Sequence, residues 1–491
     1  MLQDNRKTVL VKTAITFVIL FTTLLIIQFS FGKTRENYLG DPWEYAAIGD
    51  SLFASGHFNL LDIESPITVW GGGDYRGYVF PVLLGVCGHI DQIFGLNCTW
   101  WIVSSFIYAG LFLVYFKFIK DAGIRKTSDF SVIRNLIPFG FVLVFFYGLI
   151  TNALTDMLAA LLAIAAAEVL LLAIRSTGRK KYLYFFLTGM VSYLAYNIRT
   201  IYMLEVFGMV ITAVISEVIL LKKEDVVSLV EKVKRLCSAF VLMFAGFYFA
   251  ALPQVYLNYS RYNSLSPKVR VNGLFAQQLW WGIGITKYGT YVGNDGIHDV
   301  PMKFIDATGM AIQKAFESEG YEISLKTYIL AFLKYPVDFI SILWKHLWNA
   351  LFVMFPETFI EDLTKDRSLY VILGLCIVIL FIFLLYDDIK NGIKEISLSS
   401  ILIVGSLLLP SIAILFGALE ERFLIVLYLL IYGRVSDYQK NGKKSRQDIF
   451  SLLIKIAIGL VIAFTAISVE GGIMAGLKGI DGIVPLTFNG K

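Results

Sequence analysis

Apolar runs of about 20 residues recur through this sequence, and they restrict what the chain can fold into. A bilayer offers no water to exposed backbone groups, so runs of this length cross it as helices, which satisfy their own backbone hydrogen bonds. Hydrophobic residues make up 57% of the chain and charged residues 16%, which leaves too little polar surface to cover soluble domains. The sequence therefore predicts an all-α polytopic membrane protein.

Basic residues between the runs predict the orientation of the helices. Arg6, Lys7 and Lys12 precede the first run, and positively charged flanks stay on the cytoplasmic side. Helices at residues 78–94 and 337–355 are expected to lie at the outer interface. A span at 337–355 would put Lys390 and Lys394 outside, and Lys345 and His346 would be costly at the bilayer centre. The rule gives about eleven spanning helices, at residues 13–31, 99–119, 136–150, 154–174, 182–196, 201–221, 236–257, 369–386, 398–416, 423–432 and 450–468.

This arrangement predicts three parts of the chain. Residues 1–257 would form an N-terminal transmembrane module whose long first outer loop, residues 32–98, carries the chemistry. Residues 258–367 would form an extracytoplasmic loop with interfacial helices, and residues 368–491 the C-terminal transmembrane helices. No small-residue cleavage site follows the first apolar run, so we expect that run to remain as a spanning helix.

The first outer loop contains a stretch, residues 40–57, in which charged and aromatic residues first occur together. Asp41 is predicted to be a helix N-cap, with Pro42 at the first helical position and Glu44 where a capping box closes. Asp41 and Glu44 would then lie on one face of that helix. Capping alone would account for Asp41, so a catalytic role depends on what else reaches the same place.

Several other charged residues are predicted to lie on the same outer side. An ionisable residue at membrane depth is costly and suggests a function, although each one alone is also explained by marking where a helix leaves the lipid. Separated carboxylates among several arginines suit a reaction that removes a proton at one end and neutralises a phosphate at the other. The set comprises Asp41, Arg76, Asp156, Arg199, Arg261, Glu420, Glu421 and Arg422.

Metal and disulfide frameworks are not predicted. The four cysteines form no CxxC pair, and the four histidines lack the HxH or HxxxH spacing of a metal site. The small net charge of +5 and its basic clusters report membrane topology rather than nucleic-acid binding.

At this point the sequence resembles the GT-C superfamily of polytopic glycosyltransferases, in particular the bacterial branch similar to protein O-mannosyltransferases and to the lipid A aminoarabinose transferase. The resemblance consists of short motifs spread over most of the chain. They include Asp41-Pro42-Trp43-Glu44-Tyr45, Arg76-Gly77-Tyr78, Thr155-Asp156-Met157, Asn197-Ile198-Arg199, Tyr262-Asn263-Ser264, Lys334-Tyr335-Pro336 and Glu421-Arg422-Phe423.

The sequence departs from the superfamily pattern at two places. Family members often carry a lysine before paired prolines, whereas here Arg76 is followed by Gly77. Trp280-Trp281-Gly282 lacks the acid of the Trp-Trp-Asp triplet found in oligosaccharyltransferases, which argues against transfer of a whole oligosaccharide to asparagine.

The resemblance implies an inverting transfer of a single sugar from a polyprenyl-phosphate donor to a glycan or lipid acceptor outside the bacterial cytoplasmic (inner) membrane. Asp41 would be the base, and Asp156 a second acid that orients the acceptor or a bound divalent cation, although no cofactor is required. Arg76, Arg199 and Arg422 would neutralise phosphate, and Tyr45, Tyr75 and Tyr78 would stack on sugar. Other expected substrate-binding residues are Glu44, Arg261, Tyr262 and Glu421.

Two alternatives remain open. A polyprenyl-linked glycan polymerase would share the outer arginines but normally carries a long outer loop late in the chain. A lipid or glycan flippase or secondary transporter would instead carry helices broken in matched halves and charges near the membrane midplane.

Overall fold

The computed structural model describes residues 2–64, 76–125, 131–222, 229–270, 273–292, 299–351, 356–360, 368–390 and 397–437, together with 455, 458–459 and 461–465. Its α-helices are α1 Leu2–Phe31, α2 Asp41–Ser51, α3 Val79–Phe94, α4 Thr99–Asp121, α5 Val132–Thr151, α6 Thr155–Arg175, α7 Arg179–Ile198, α8 Met203–Lys222, α9 Leu229–Ala250, α10 Leu252–Tyr262, α11 Leu274–Gly284, α12 Ala307–Ser318, α13 Leu325–Lys334, α14 Pro336–Leu351, α15 Ser368–Lys390, α16 Leu398–Ile414 and α17 Ile425–Val435. Its strands are β1 Ile285–Val292, β2 Asp299–Ile305 and β3 Phe359–Ile360.

Seven helices in the described part of the chain are long and apolar enough to cross a membrane, and they lie in α1, α4, α5, α6, α8, α9 and α15. Helices α13 and α14 pass the same test only as a pair, with a bend of 108° between them. Helices α3 and α16 are apolar but shorter. A multi-pass membrane protein is therefore supported, whereas the expected count of about eleven spans is not confirmed.

The predicted span at residues 236–257 is wrong as a single helix. Helix α9 ends at Ala250, and α10 begins at Leu252 with Pro253 in its first turn. Proline lacks the backbone N–H that a continuing helix would need, but it is accepted in a first turn. The interruption therefore falls where the sequence places proline.

The chain forms two compact units, of which the first contains Met1–Phe139, Leu149–Asn272 and Lys394–Pro410. Helix α6 lies at its centre and packs against α4, α7 and α8. Most of its apolar stretch, 78%, is buried inside the protein. Its many alanines allow this, because small side chains let neighbouring helix backbones approach closely.

The second unit contains Gly140–Gly148, Gly273–Ile393 and Ser411–Lys491. The chain is mostly helical, as predicted, but this unit also holds a three-stranded sheet, which the all-α expectation did not include. Strand β1 lies in the middle, antiparallel to β2 and parallel to β3. Its sequence, ITKYGTYV, is rich in the β-branched and aromatic residues that favour strands. Helices α11 to α14 enclose an apolar core around Trp280, Phe316 and Phe339.

Candidate active site

Helix α2 begins at Asp41, one residue earlier than its predicted start at Pro42. Gly40 is the N-cap, with φ 55° and ψ −130°, and the cap position makes no side-chain hydrogen bond. A positive φ is strained for most residues but not for glycine. The prediction that Asp41 caps the helix is therefore wrong, and its carboxylate is directed to another partner.

That partner is Arg76, whose guanidinium joins three side chains of α2. Arg76 Nη2 lies 2.6 Å from Asp41 Oδ1 and 2.7 Å from Glu44 Oε2. Its Nε donates to the same Glu44 oxygen at 3.1 Å, and its Nη1 donates to the Tyr45 hydroxyl at 3.0 Å. One arginine thus holds two carboxylates and a phenol on one face of the helix.

The members of this group differ in their access to solvent. The Glu44 side chain is 1% exposed, whereas Asp41 is 25% and Arg76 20% exposed. Burial alone would lower the pKa of Arg76, but Tyr45, Asp41 and Glu44 together raise it well above its ordinary value. Arg76 therefore stays charged, and Asp41 is the more accessible of the two carboxylates.

A second ion pair lies at the start of α6. Asp156, in the first turn, is 1% exposed, and its Oδ1 lies 2.9 Å from Nη1 of Arg199, the C-cap of α7. The same Nη1 donates to Thr155 Oγ1 at 3.1 Å. The free N–H groups and positive partial charge of a helix N-terminus favour an acid at this position.

Tyr45 connects the two ion pairs. Burial raises the pKa of its phenol above the ordinary value; the charge of Arg76 opposes this, Asp41 adds to it, and Arg199 and a hydrogen bond with Thr155 also oppose it. The structure therefore brings together six of the predicted site residues: Asp41, Glu44, Tyr45, Arg76, Asp156 and Arg199. Their three carboxylates and two guanidinium groups carry a formal surplus of one negative charge.

The backbone after Arg76 is fixed by the end of α7. Val79 donates its backbone N–H to Asn197 Oδ1 at 2.9 Å. A Cβ on Gly77 would lie 1.8 Å from the Asn197 carbonyl oxygen, so only glycine fits. This contact gives a physical reason for the Arg-Gly sequence that departs from the superfamily pattern.

Tyr78 is held from the other side. Its hydroxyl donates to the Ala250 carbonyl at 2.8 Å, and its ring packs beside Tyr193 and Phe247 in a buried cluster. Burial raises the pKa of Tyr78 to about 12. These contacts are those of a packing residue, and a role in stacking on sugar stays a prediction.

Arg35 positions α2, although the sequence analysis did not single it out. Its Nη1 lies 2.6 Å from Asp50 Oδ1, and its Nη2 donates to the carbonyls of Ala46 and Leu84, both at 3.3 Å. These bonds link α2 to α3. A single arginine just after an apolar run resembles any membrane-flanking cation, so the sequence carried no distinguishing signal.

Arg261 and Tyr262 contact other parts of the first unit. Arg261 Nη2 donates to the backbone carbonyls of Leu61, at 3.0 Å, and Ile63. The guanidinium of Arg270 lies over the ring of Tyr262, 3.7 Å from its centroid. Arg261 therefore secures the loop after α2, and substrate binding by these two residues stays a prediction. Tyr75 lies outside the described residues.

Glu421 and Arg422 belong to the second unit, where both are engaged. Glu421 Oε1 lies 2.5 Å from the Nζ of Lys287 in β1, and both side chains are buried. Arg422 Nε lies 2.8 Å from Glu420 Oε1. The sequence does not reveal the role of Lys287, because an isolated lysine in a polar loop gives no sign of burial.

The acids of the site are arranged around arginines rather than around one another. Within the described residues, no three side chains of His, Cys, Asp or Glu gather so that they could hold a metal ion. Asp41, Glu44 and Asp156 instead contact Arg76 or Arg199. That no cation is required stays a prediction.

Comparisons with known proteins add only distant similarities. No family model matches the sequence, and no curated protein matches it. The crystal structure of the apo oligosaccharyltransferase of Archaeoglobus fulgidus is similar with a TM-score of 0.48 and 13% identity, over 94% of this chain and 56% of that one. The complex of that enzyme with Zn and sulfate gives a TM-score of 0.44 at 12% identity, over 94% and 52% of the two chains.

A third similar structure is the archaeal oligosaccharyltransferase AglB from the same organism, in complex with an inhibitory peptide and a dolichol-phosphate. Its TM-score is 0.41 at 12% identity, over 94% of this chain and 56% of that one. The chain thus spans about half the length of these structures. TM-scores below 0.5 do not establish a common fold, so the function proposed below depends on the side chains of the site.

Proposed function

We propose that this protein is a membrane glycosyltransferase of the GT-C type, which moves one sugar from a polyprenyl-phosphate donor to an acceptor hydroxyl. The observation that carries the proposal is the accessible carboxylate of Asp41, held by Arg76 beside the Asp156–Arg199 ion pair. A base next to cations is the set that this reaction needs. A phosphate leaving group requires positive charge rather than a general acid.

The residues can be given roles in a single displacement. The acceptor oxygen attacks the anomeric carbon of the sugar while its proton passes to a carboxylate oxygen of Asp41. The bond between that carbon and the phosphate oxygen breaks, and polyprenyl phosphate leaves with the electron pair. Attack opposite the leaving group inverts the anomeric centre.

The contacts of the two arginines support different roles for them. Arg76 is committed to Asp41, Glu44 and Tyr45, so we assign it to orienting the base rather than to binding phosphate. Arg199 is 17% exposed and carries its charge beside the buried Asp156, so we assign it to the leaving phosphate. Asp156 then positions Arg199 and, with Thr155, shapes the acceptor side.

We further propose that the reaction occurs at the outer face of a bacterial cytoplasmic membrane and that the acceptor is a surface glycan or lipid-linked polysaccharide. The basic residues at the junction of α6 and α7 and at the end of α8 support this orientation, because such flanks stay inside. The branch similar to O-mannosyltransferases and the aminoarabinose transferase is part of the same proposal.

The test is transfer of label from a radiolabelled polyprenyl-phosphate hexose to water-soluble glycan in membranes that contain the protein. We expect Asp41→Asn to lower kcat by about 10²- to 10⁴-fold while donor binding is retained, because only the base is removed. Glu36→Gln, which removes an exposed carboxylate just before α2, is the matched control and should transfer normally.

Full transfer by Asp41→Asn would show that Asp41 is not the base. Label in a ladder of products, rather than one sugar per acceptor, would indicate a polymerase. Movement of the labelled lipid across liposomes without a new glycosidic bond would indicate a flippase.

A further inference from the structure

A large cavity lies at the end of α6 opposite Asp156. Its volume is about 840 Å³, within the usual range for ligand sites. It is formed where α6 ends, where α7 and α16 begin, and by the nearby parts of α8 and α9, all within the first unit. Arg175, at the cavity, follows Asp156 by nineteen positions on α6, a distance of about 30 Å along the helix. The cavity is therefore separate from the candidate active site.

Positive charge dominates the polar lining of the cavity. Among the described residues that line it, three are basic, Arg175, Lys181 and Arg235, and one is acidic, Glu217. Arg175 also donates to the backbone carbonyl of Asp121, whose carboxylate lies 4.0 Å from its Nη1. Lys181 Nζ lies 2.5 Å from Glu217 Oε1, and these side chains are 15% and 1% exposed. A pair this well buried keeps the ammonium group at a fixed place in the wall.

The N-terminus of α7 reinforces the charge of these side chains, whereas that of α16 is capped by Ser397, whose Oγ accepts the backbone N–H of Ser400 at 3.1 Å. Gly178, the N-cap of α7, and the two residues before it line the cavity, and the cap makes no side-chain hydrogen bond. Ser397, just before α16, and Ser399 line it from another side. Backbone N–H groups at helix starts, with hydroxyl donors beside them, bind anions such as phosphate.

Much of the remaining wall is apolar, and part of it comes from two helices apolar enough to span, α6 and α8. Leu171 and Ile174 belong to α6 and Ile219 to α8, and Phe185 of α7 lies beside them. A free inorganic anion would gain nothing from this surface. An amphiphile would cover it with an acyl chain while its head group met the cations.

We propose that this cavity binds an anionic phospholipid through its phosphate head group. The arginines, Lys181 and the start of α7 would contact the phosphate oxygens, and the apolar wall would contact the first part of an acyl chain. Basic pockets between transmembrane helices, on the side where basic flanks cluster, have the chemistry that lipid phosphates require. The proposal does not depend on the transfer reaction.

The test measures lipid binding by purified protein in non-ionic detergent, using native mass spectrometry with phosphatidylglycerol and with phosphatidylcholine. The site variant is Arg175→Gln/Arg235→Gln, which leaves the buried Lys181–Glu217 pair intact. The matched control is Lys180→Gln/Lys234→Gln, which removes the same charge from exposed neighbours that do not line the cavity. We expect the site variant to bind phosphatidylglycerol at least tenfold more weakly, the control to match the wild type, and phosphatidylcholine to bind weakly to all three.

Equal binding of phosphatidylglycerol by the site variant and the control would overturn the proposal. A separate arm uses sn-glycerol 3-phosphate, which carries the phosphate without acyl chains. Binding of this compound as tightly as the lipid would overturn the assignment to a lipid. Two single variants keep the proposal testable if the double variant folds poorly. Arg235→Lys keeps the charge and should retain most of the phosphatidylglycerol binding, whereas Arg235→Gln should show an intermediate loss.

Discussion

Replacing Gly77 by alanine tests whether the position of Arg76 matters independently of its charge. The added methyl carbon would lie 1.8 Å from the Asn197 carbonyl oxygen, 2.5 Å from its Oδ1 and 2.7 Å from its carbonyl carbon. Two of these atoms are backbone, so they cannot rotate away as the end of a flexible side chain can. Either the Arg76 segment or the end of α7 must move by more than 1 Å to restore ordinary contact.

The size of the effect follows from that displacement. Overpacking of this kind costs about 1 to 3 kcal/mol of stability. A shift of about 1 Å in a residue that orients a catalytic group can lower the rate about 10²-fold. The hydrogen bond from Val79 to Asn197 Oδ1 lies at the same contact and would lengthen. We therefore expect a modest fall in Tm and a large fall in kcat.

The assay is sugar transfer from the radiolabelled polyprenyl-phosphate hexose, with thermal unfolding measured on the same preparations. Gly110→Ala in α4 is the control, because a methyl carbon there meets no heavy atom within 4 Å. It should keep its activity and lose no stability, since alanine is favoured over glycine in a helix. Wild-type kcat in Gly77→Ala would refute the reasoning that a fixed Arg76 orients Asp41.

Two further predictions concern stability. Lys287→Met should destabilise the protein by about 3 to 5 kcal/mol, because the buried Glu421 carboxylate would lose the ammonium group beside it. Lys287→Met/Glu421→Gln should recover most of that loss. A double-mutant cycle measured by thermal unfolding checks this, and additive losses of stability would contradict it. Burial raises the pKa of Tyr78 from its ordinary value of 10.0 to about 12. The folded protein therefore keeps the phenol proton to a higher pH than the unfolded chain does. The stability that comes from this difference is present below pH 10 and is lost as the pH rises towards 12. The Tm of Tyr78→Phe should therefore fall less than that of the wild type between pH 9 and about 11.5. At pH 8 its Tm should be lower, because the hydrogen bond to the Ala250 carbonyl is lost. Parallel curves of Tm against pH would argue against a raised pKa of Tyr78.

The sequence predicts that several residues of the candidate site lie on one side of the membrane, because they stand at the ends of apolar runs. Run length and basic flanks determine the depth and side of a helix end, so Asp156 and Arg199 were predicted to share a surface with Asp41. The structure brings these residues together with Arg76. Depth in the membrane is a property of a single segment, which is why one sequence can reveal it.

Which side chains contact one another in the site could not be predicted from the sequence. Arg76 was expected to meet a phosphate, yet it contacts Asp41 and Glu44, which depends on how the loop returns to α2. The burial of Lys287 depends on β1 lying between two other strands, a long-range pairing that no local pattern encodes. Such contacts are determined by the packing of segments that are distant in sequence, and local sequence patterns do not predict them.

Helix α6 separates two properties that usually go together in a membrane helix: a hydropathy high enough for insertion into the bilayer, and contact with lipid after folding. Its mean hydropathy of 2.6 is close to the 2.3 of α1, yet 78% of its apolar stretch is enclosed by protein, against 17% for α1. The hydropathy of α6 is thus needed while the chain enters the bilayer, and hardly afterwards. In the folded molecule the neighbouring helices restrict the size of its side chains instead. The sequence of α6 therefore has to suit lipid during insertion and protein contacts afterwards, whereas that of α1 has to suit lipid at both stages.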